Sequence, residues 1–117
     1  MDSNHQLSID FDKNSADLSI SKDIYLRILD KGIAQTQLDM PQLDKFIEEE
    51  NADEIKQITH RLKGDFYNMR IDPLSSLAKQ MEDIAKSHMN KDELKILLND
   101  FKNLLEQLSQ KAKSSFS

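Results

Sequence analysis

Apolar residues return every three or four positions along almost all of this chain, and that period sets its fold class. Placed at roughly 100° per residue, Ile55, Ile58, Leu62, Phe66 and Met69 fall within about 60° of one another, one stripe on one helix. Leu74, Leu77, Ala78, Met81, Ile84 and Ala85 make a second stripe. Leu94, Leu97, Leu98, Phe101, Leu104, Leu105 and Leu108 make a third. An earlier stretch carries Ile24, Tyr25, Ile28, Leu29 and Ile33, then Leu38, Leu43, Phe46 and Ile47. With only two glycines, two prolines and no valine, the composition favours helix throughout.

The boundaries follow from local chemistry. Ser21 is an N-cap for the helix that begins at about Lys22. Pro41 interrupts the pattern of that helix, which predicts either one kinked helix to about Glu50 or two consecutive helices broken there. Asn51 with Glu54, and Asn90 with Glu93, are capping-box-like starts. Asp72 before Pro73 places an N-cap ahead of a proline at the first helical position. Glu48 to Glu50 read as a solvated helix end, and Gly32 as a close helix crossing or a kink. Leu7, Ile9 and Phe11 are either a short extended segment laid over the bundle or the approach to a short helix near Asp12 to Leu18. Short connections make successive helices antiparallel. The expected fold is all-α: an antiparallel up-down four-helix bundle with an additional short N-terminal helix. Its domain spans 10–113, between a flexible N-terminal segment 1–9 and a flexible tail 114–117.

Several functions are disfavoured at once. A net charge of −5 argues against a nucleic-acid binder. No apolar run approaches the roughly 18 residues needed to span a bilayer, and the polar start carries no secretory signal, so a cytoplasmic protein is expected. Without cysteine there is no disulfide, thiolate nucleophile or zinc–thiolate site. No Walker loop, no G-x-G-x-x-G and no Glu-x-x-His pair on facing helices occurs, so neither an ATP site nor a metal site is expected.

One stretch stands apart: His60-Arg61-Leu62-Lys63-Gly64-Asp65-Phe66. On the same helical wheel His60 lies at about 140° from the stripe, Lys56, Lys63 and Tyr67 at about 80–120°, and Gly64 near 180°. The imidazole therefore faces water. An imidazole, with an ordinary pKa of roughly 6.5, is a good nucleophile near neutral pH. Lys63, one turn on, can neutralise part of a phosphoryl group's charge. Gly64 sits where glycine costs a helix roughly 1 kcal/mol relative to alanine, a sensible cost where a side chain would block a docking protein. Lys56, Arg61 and Tyr67 are candidates for touching that partner, and Arg70 extends the basic patch. His5 and His88 read as ordinary solvated histidines, His88 being placed to cap the carbonyls of its helix.

The run His60 to Gly64, followed by Asn68-Met69 and Pro73-Leu74, resembles the H-x-L-K-G signature of histidine-containing phosphotransfer (HPt) domains of multistep phosphorelays. The resemblance covers roughly Asp10 to Leu108. It implies a histidine phosphocarrier: His60 as phosphoryl acceptor, Lys63 as the charge-balancing lysine and Gly64 as the small residue giving access. It further implies no ATP site and no cofactor of its own, Mg²⁺ being held by the partner, and exchange with response-regulator receiver domains or a hybrid histidine kinase. A monomer is expected, although the last helix could support a dimer. Where many members have a small residue and a glycine, this chain has Asp65 and Arg70, which implies a different exit from the helix. Where members often place a glutamine against the histidine ring, the register here gives Glu82, with Gln80 nearby. The rival expectation is a helical adaptor or chaperone-like module, including a family member whose histidine is silent.

Overall fold

The computed structural model describes residues 7–116. His5, the first six residues of the N-terminal segment and the last residue of the tail lie outside the described residues. Five helices follow one another: α1 (Phe11–Asp17), α2 (Lys22–Glu48), α3 (Ala52–Asn68), α4 (Asp72–Ser87) and α5 (Lys91–Ser115). Among the described residues there is no strand, and no helix is long and apolar enough to cross a membrane. Helices α2 to α5 form the antiparallel bundle, each packing on the next and α5 closing back onto α2, while α1 packs on α2.

The stripes meet as their period requires. Leu29, Leu43 and Ile47 of α2, Ile55 and Leu62 of α3, Leu74 and Met81 of α4, and Leu94 and Leu108 of α5 are all sealed from water. Phe66 and Phe101 meet edge-to-face across the bundle diagonal, ring centroids 5.9 Å apart. The caps of α2, α3 and α5 are as the sequence predicts: Ser21, Asn51 and Asn90 accept from the amides of Ile24, Glu54 and Glu93.

The structure decides what the sequence left open at some boundaries and corrects others. Helix α2 runs unbroken through Pro41 to Glu48, the single-helix alternative of the two expected. The proline is on the exposed side, and flanking Met40 and Leu43 are buried, so packing outweighs the lost amide. Helix α4 begins at Asp72 itself, with buried Ile71 at the N-cap and no capping side chain. Asp72 instead puts a negative charge in the first turn, where the helix dipole favours it. Helix α5 continues to Ser115 and buries Ala112 and Ser109. A Cβ at Gly32 would meet nothing within 4 Å, so that glycine serves no close crossing.

The turns explain how the helices end without glycine. Ser19, Glu50 and Arg70 take left-handed φ values of 59°, 54° and 64° after α1, α2 and α3. In each turn the next amide reaches back five residues, as Ile71 N–H does to Phe66 O at 2.8 Å. Arg70 thus makes the left-handed exit that a glycine would make, and its absent glycine changes strain rather than path. That exit is tied down from below: the Tyr25 hydroxyl donates to Met69 O at 2.7 Å and Asn14 Nδ2 to Arg70 O at 3.3 Å. The partly buried Leu7 and Ile9 pack on the core, Leu7 N–H donates to Gln107 Oε1, and the stretch leads directly into α1 at Phe11, so it both lies over the bundle and approaches the short helix.

Candidate functional site

Helix α3 turns Ile55, Ile58, Leu62 and Phe66 inward, which leaves His60 outward with its side chain 70% exposed. Helix α4 packs along α3 through its own stripe and brings Glu82 alongside, one of few charged residues buried in the bundle, its side chain 3% exposed. His60 Nδ1 lies 2.8 Å from Glu82 Oε2, and Lys63 Nζ donates to Glu82 Oε1, also at 2.8 Å. A third cation joins them: Lys86 Nζ is 3.4 Å from the same Oε2 that faces the imidazole.

Burial works to raise the Glu82 carboxyl. The hydrogen bonds from Lys63 and His60, the Lys63 charge and the bond from Lys86 outweigh it and hold the group at about 2. Glu82 is therefore a carboxylate near neutral pH and can only accept. The proton between it and the imidazole belongs to Nδ1 when the ring is neutral. The ring's lone pair then sits on Nε2, which has no partner among the described residues and points away from Glu82.

Gly64, one turn beyond His60, has open space where a Cβ would be. Beside it an open groove of about 420 Å³ runs between α3 and α4, lined by Lys63, Gly64, Tyr67, Asp72, Ser75 and Lys79 among others. Tyr67 is exposed at its edge. Ser75 of α4 donates to the Lys63 carbonyl at 2.9 Å, which pins the two helices together beneath the lysine.

The structure thus brings together His60, Lys63, Glu82 and Gly64, with Tyr67 close by. It separates others. Gln80 lines the opposite groove, between α4 and α5, and donates to Ser76 within its own helix. Two residues before Glu82 on the helix, it faces away from α3. Arg61 reaches to α2, 2.8 Å from the buried Asp39 Oδ2 in an ion contact without hydrogen-bond geometry, and also pairs with Asp65 at 3.7 Å. Lys56 pairs with Asp53 at 3.2 Å. Arg70 folds over the carbonyls of Tyr67 and Asn68. His88 is exposed, with Nδ1 3.4 Å from Ser87 Oγ rather than on the helix carbonyls.

Lys86 escaped the sequence reading although its signal was there: Glu82 and Lys86 are four apart on a predicted helix, acid first, the favourable order for a pair. Asp39 gave no comparable signal, because its partner lies on another helix.

A family model described as Hpt domain matches residues 27–111. No curated protein and no solved structure matches the chain.

Proposed function

This chain belongs to the Hpt-domain family, whose members carry phosphoryl groups on histidine in phosphorelays without an ATP site of their own, and on that premise we propose that His60 is its phosphoryl acceptor, exchanging the group with receiver-domain aspartates. The observation that carries the reading is the imidazole held through Nδ1 by a buried carboxylate with Nε2 free to solvent.

The chemistry follows from that placement. The Nε2 lone pair attacks the phosphorus of an aspartyl phosphate, the P–O bond to the aspartate breaks, and the carboxylate leaves with the electron pair. The ring, still bearing its Nδ1 proton, gains positive charge as the N–P bond forms. Glu82 accepts that proton's hydrogen bond and stabilises the charge. Lys63 can turn from Glu82 toward the phosphoryl oxygens, and Gly64 leaves room for the partner to approach. Transfer onward reverses the same steps, with Mg²⁺ supplied by the receiver. The groove lined by Lys63, Tyr67 and Lys79 extends the surface that a receiver would cover.

The test is incubation with phosphorylated receiver domains, with His60→Gln as control. Acid-labile, alkali-stable phosphate on the wild type and none on the variant supports the carrier. Failure of a broad receiver panel to label the wild type overturns it in favour of a binding module that performs no transfer.

A further inference from the structure

Lys63 is the lysine that the motif singles out, yet the buried carboxylate beside His60 takes two lysines. Lys86 reaches Glu82 from the next turn of α4 and meets Oε2, the oxygen that also faces His60 Nδ1, whereas Lys63 meets Oε1. The two ammonium groups therefore flank the carboxylate on separate sides, and Lys86 is on the imidazole's side. Counting charge, Glu82 and Lys63 alone cancel. Lys86 leaves the cluster with one net positive charge, beside a histidine that would carry a phosphoryl group of about two negative charges at neutral pH.

We infer that Lys86 is a second positioning cation of this site: it holds Glu82 while Lys63 turns to the phosphoryl oxygens, and its charge stabilises phosphohistidine relative to the receiver's aspartyl phosphate. The inference rests on His60 being the acceptor. With Lys86 present, a turn of Lys63 leaves the buried carboxylate with a cation; without it, Lys63 is held back by the cost of leaving that carboxylate unpaired. The Lys86 side chain is 55% exposed, so its effect is moderate and screened by salt.

The experiment labels the intact protein chemically with phosphoramidate, which needs no partner, and follows the phosphoryl group by ³¹P NMR across pH. In Lys86→Met the phosphoryl titration midpoint is expected to rise by about 0.3 unit relative to wild type, and Lys86→Arg to restore it. Lys13, which pairs with Asp17 at the same spacing and the same 3.4 Å on α1, is the control, and Lys13→Met leaves the midpoint unmoved. With a cognate receiver, Lys86→Met shifts the phosphoryl equilibrium about two- to threefold toward the aspartate, and the shift shrinks in high salt. An unmoved midpoint in a folded Lys86→Met overturns the inference, as does a shift that Lys86→Arg fails to reverse. A moved midpoint in a protein whose wild type exchanges with no receiver leaves the charge role standing and overturns the carrier reading instead.

Discussion

Glu82 and Glu48 are the same residue in the same company and do different things. Each takes two lysines: Glu82 has Lys63 and Lys86, Glu48 has Lys91 at 2.6 Å and Lys95 at 2.9 Å. Hydrogen bonds from Lys91 and Lys95 hold the Glu48 carboxyl at about 2, where the cluster around Glu82 holds that group too. Glu48 was expected to be a merely solvated helix end and is instead a clamp between the end of α2 and the start of α5. It stays exposed, however, so water does for its charge most of what the lysines do. Glu82 is buried, so its charge depends on its partners, and one of those partners is an imidazole open to solvent. Charge pairing alone does not mark a functional site; pairing around a buried group that also holds an exposed imidazole is where one is sought.

Removing each carboxylate in turn separates the two glutamates most clearly. Glu82→Ala frees the ring and leaves Lys63 without its anchor; phosphoryl transfer should fall about 10- to 100-fold, the usual loss when a residue orienting a reactive histidine is removed. Glu82→Gln keeps an acceptor for Nδ1–H and should retain most of the rate. Glu48→Ala should leave transfer unchanged. Rates measured with a phosphorylated receiver decide it, and equal losses at both positions would abolish the distinction.

The two helix-interior glycines extend the comparison from charge to access. At neither Gly32 nor Gly64 would a Cβ come within 4 Å of an atom beyond the local helix backbone, so neither is required by packing. Only Gly64 is next to His60. Gly64→Gln should therefore raise the receiver concentration needed for half-maximal transfer by at least about tenfold, while Gly32→Gln changes nothing. Circular dichroism on both variants checks that the helices survive.

Acid separates the glutamates in a third way. Both carboxyls sit at about 2 when folded against an ordinary 4.5. A lowered folded value means stability that is fully present above the ordinary value and is lost as pH falls from about 4.5 toward about 2. Denaturation midpoints followed from pH 6 to pH 2 should fall in the wild type and fall less in Glu82→Gln. The Glu48→Gln variant should show a weaker flattening that shrinks more in high salt, because exposed pairs are screened more strongly than partly buried ones.

Much of this was legible in the sequence because it is local. The stripes of α3, α4 and α5, and the caps Ser21, Asn51 and Asn90, are written in residues three and four apart. The outward turn of His60 and Lys63 is one more reading of the same period, and Glu82 follows from the register of the facing helix. What escaped depends on contacts distant in sequence or on a balance of energies. The contact of Arg61 with Asp39 escaped because Asp39 is on α2 and its burial could not be read. Pro41 left a kinked helix and a break both open, because the strength of the packing on either side is not written in local sequence. Arg70 looked like a changed helix exit because only a fold with Tyr25 and Asn14 beneath the turn shows that a non-glycine residue is held there at positive φ.

The smallest effect is the one that isolates access from folding. Alanine in place of a helix-interior glycine stabilises by up to about 1 kcal/mol when its methyl meets no obstacle. Both sites offer open space, so Gly32→Ala and Gly64→Ala should each raise the midpoint of chemical denaturation by a similar small amount. A methyl reaches far less than a glutamine side chain, so Gly64→Ala should keep most of its transfer activity while Gly64→Gln loses it. A more stable Gly64→Ala that still transfers means that glycine is present at this position for the room it leaves a partner and at some expense to the helix. A destabilised Gly64→Ala would mean that α3 itself needs the glycine, and the contrast with Gly32 would fail.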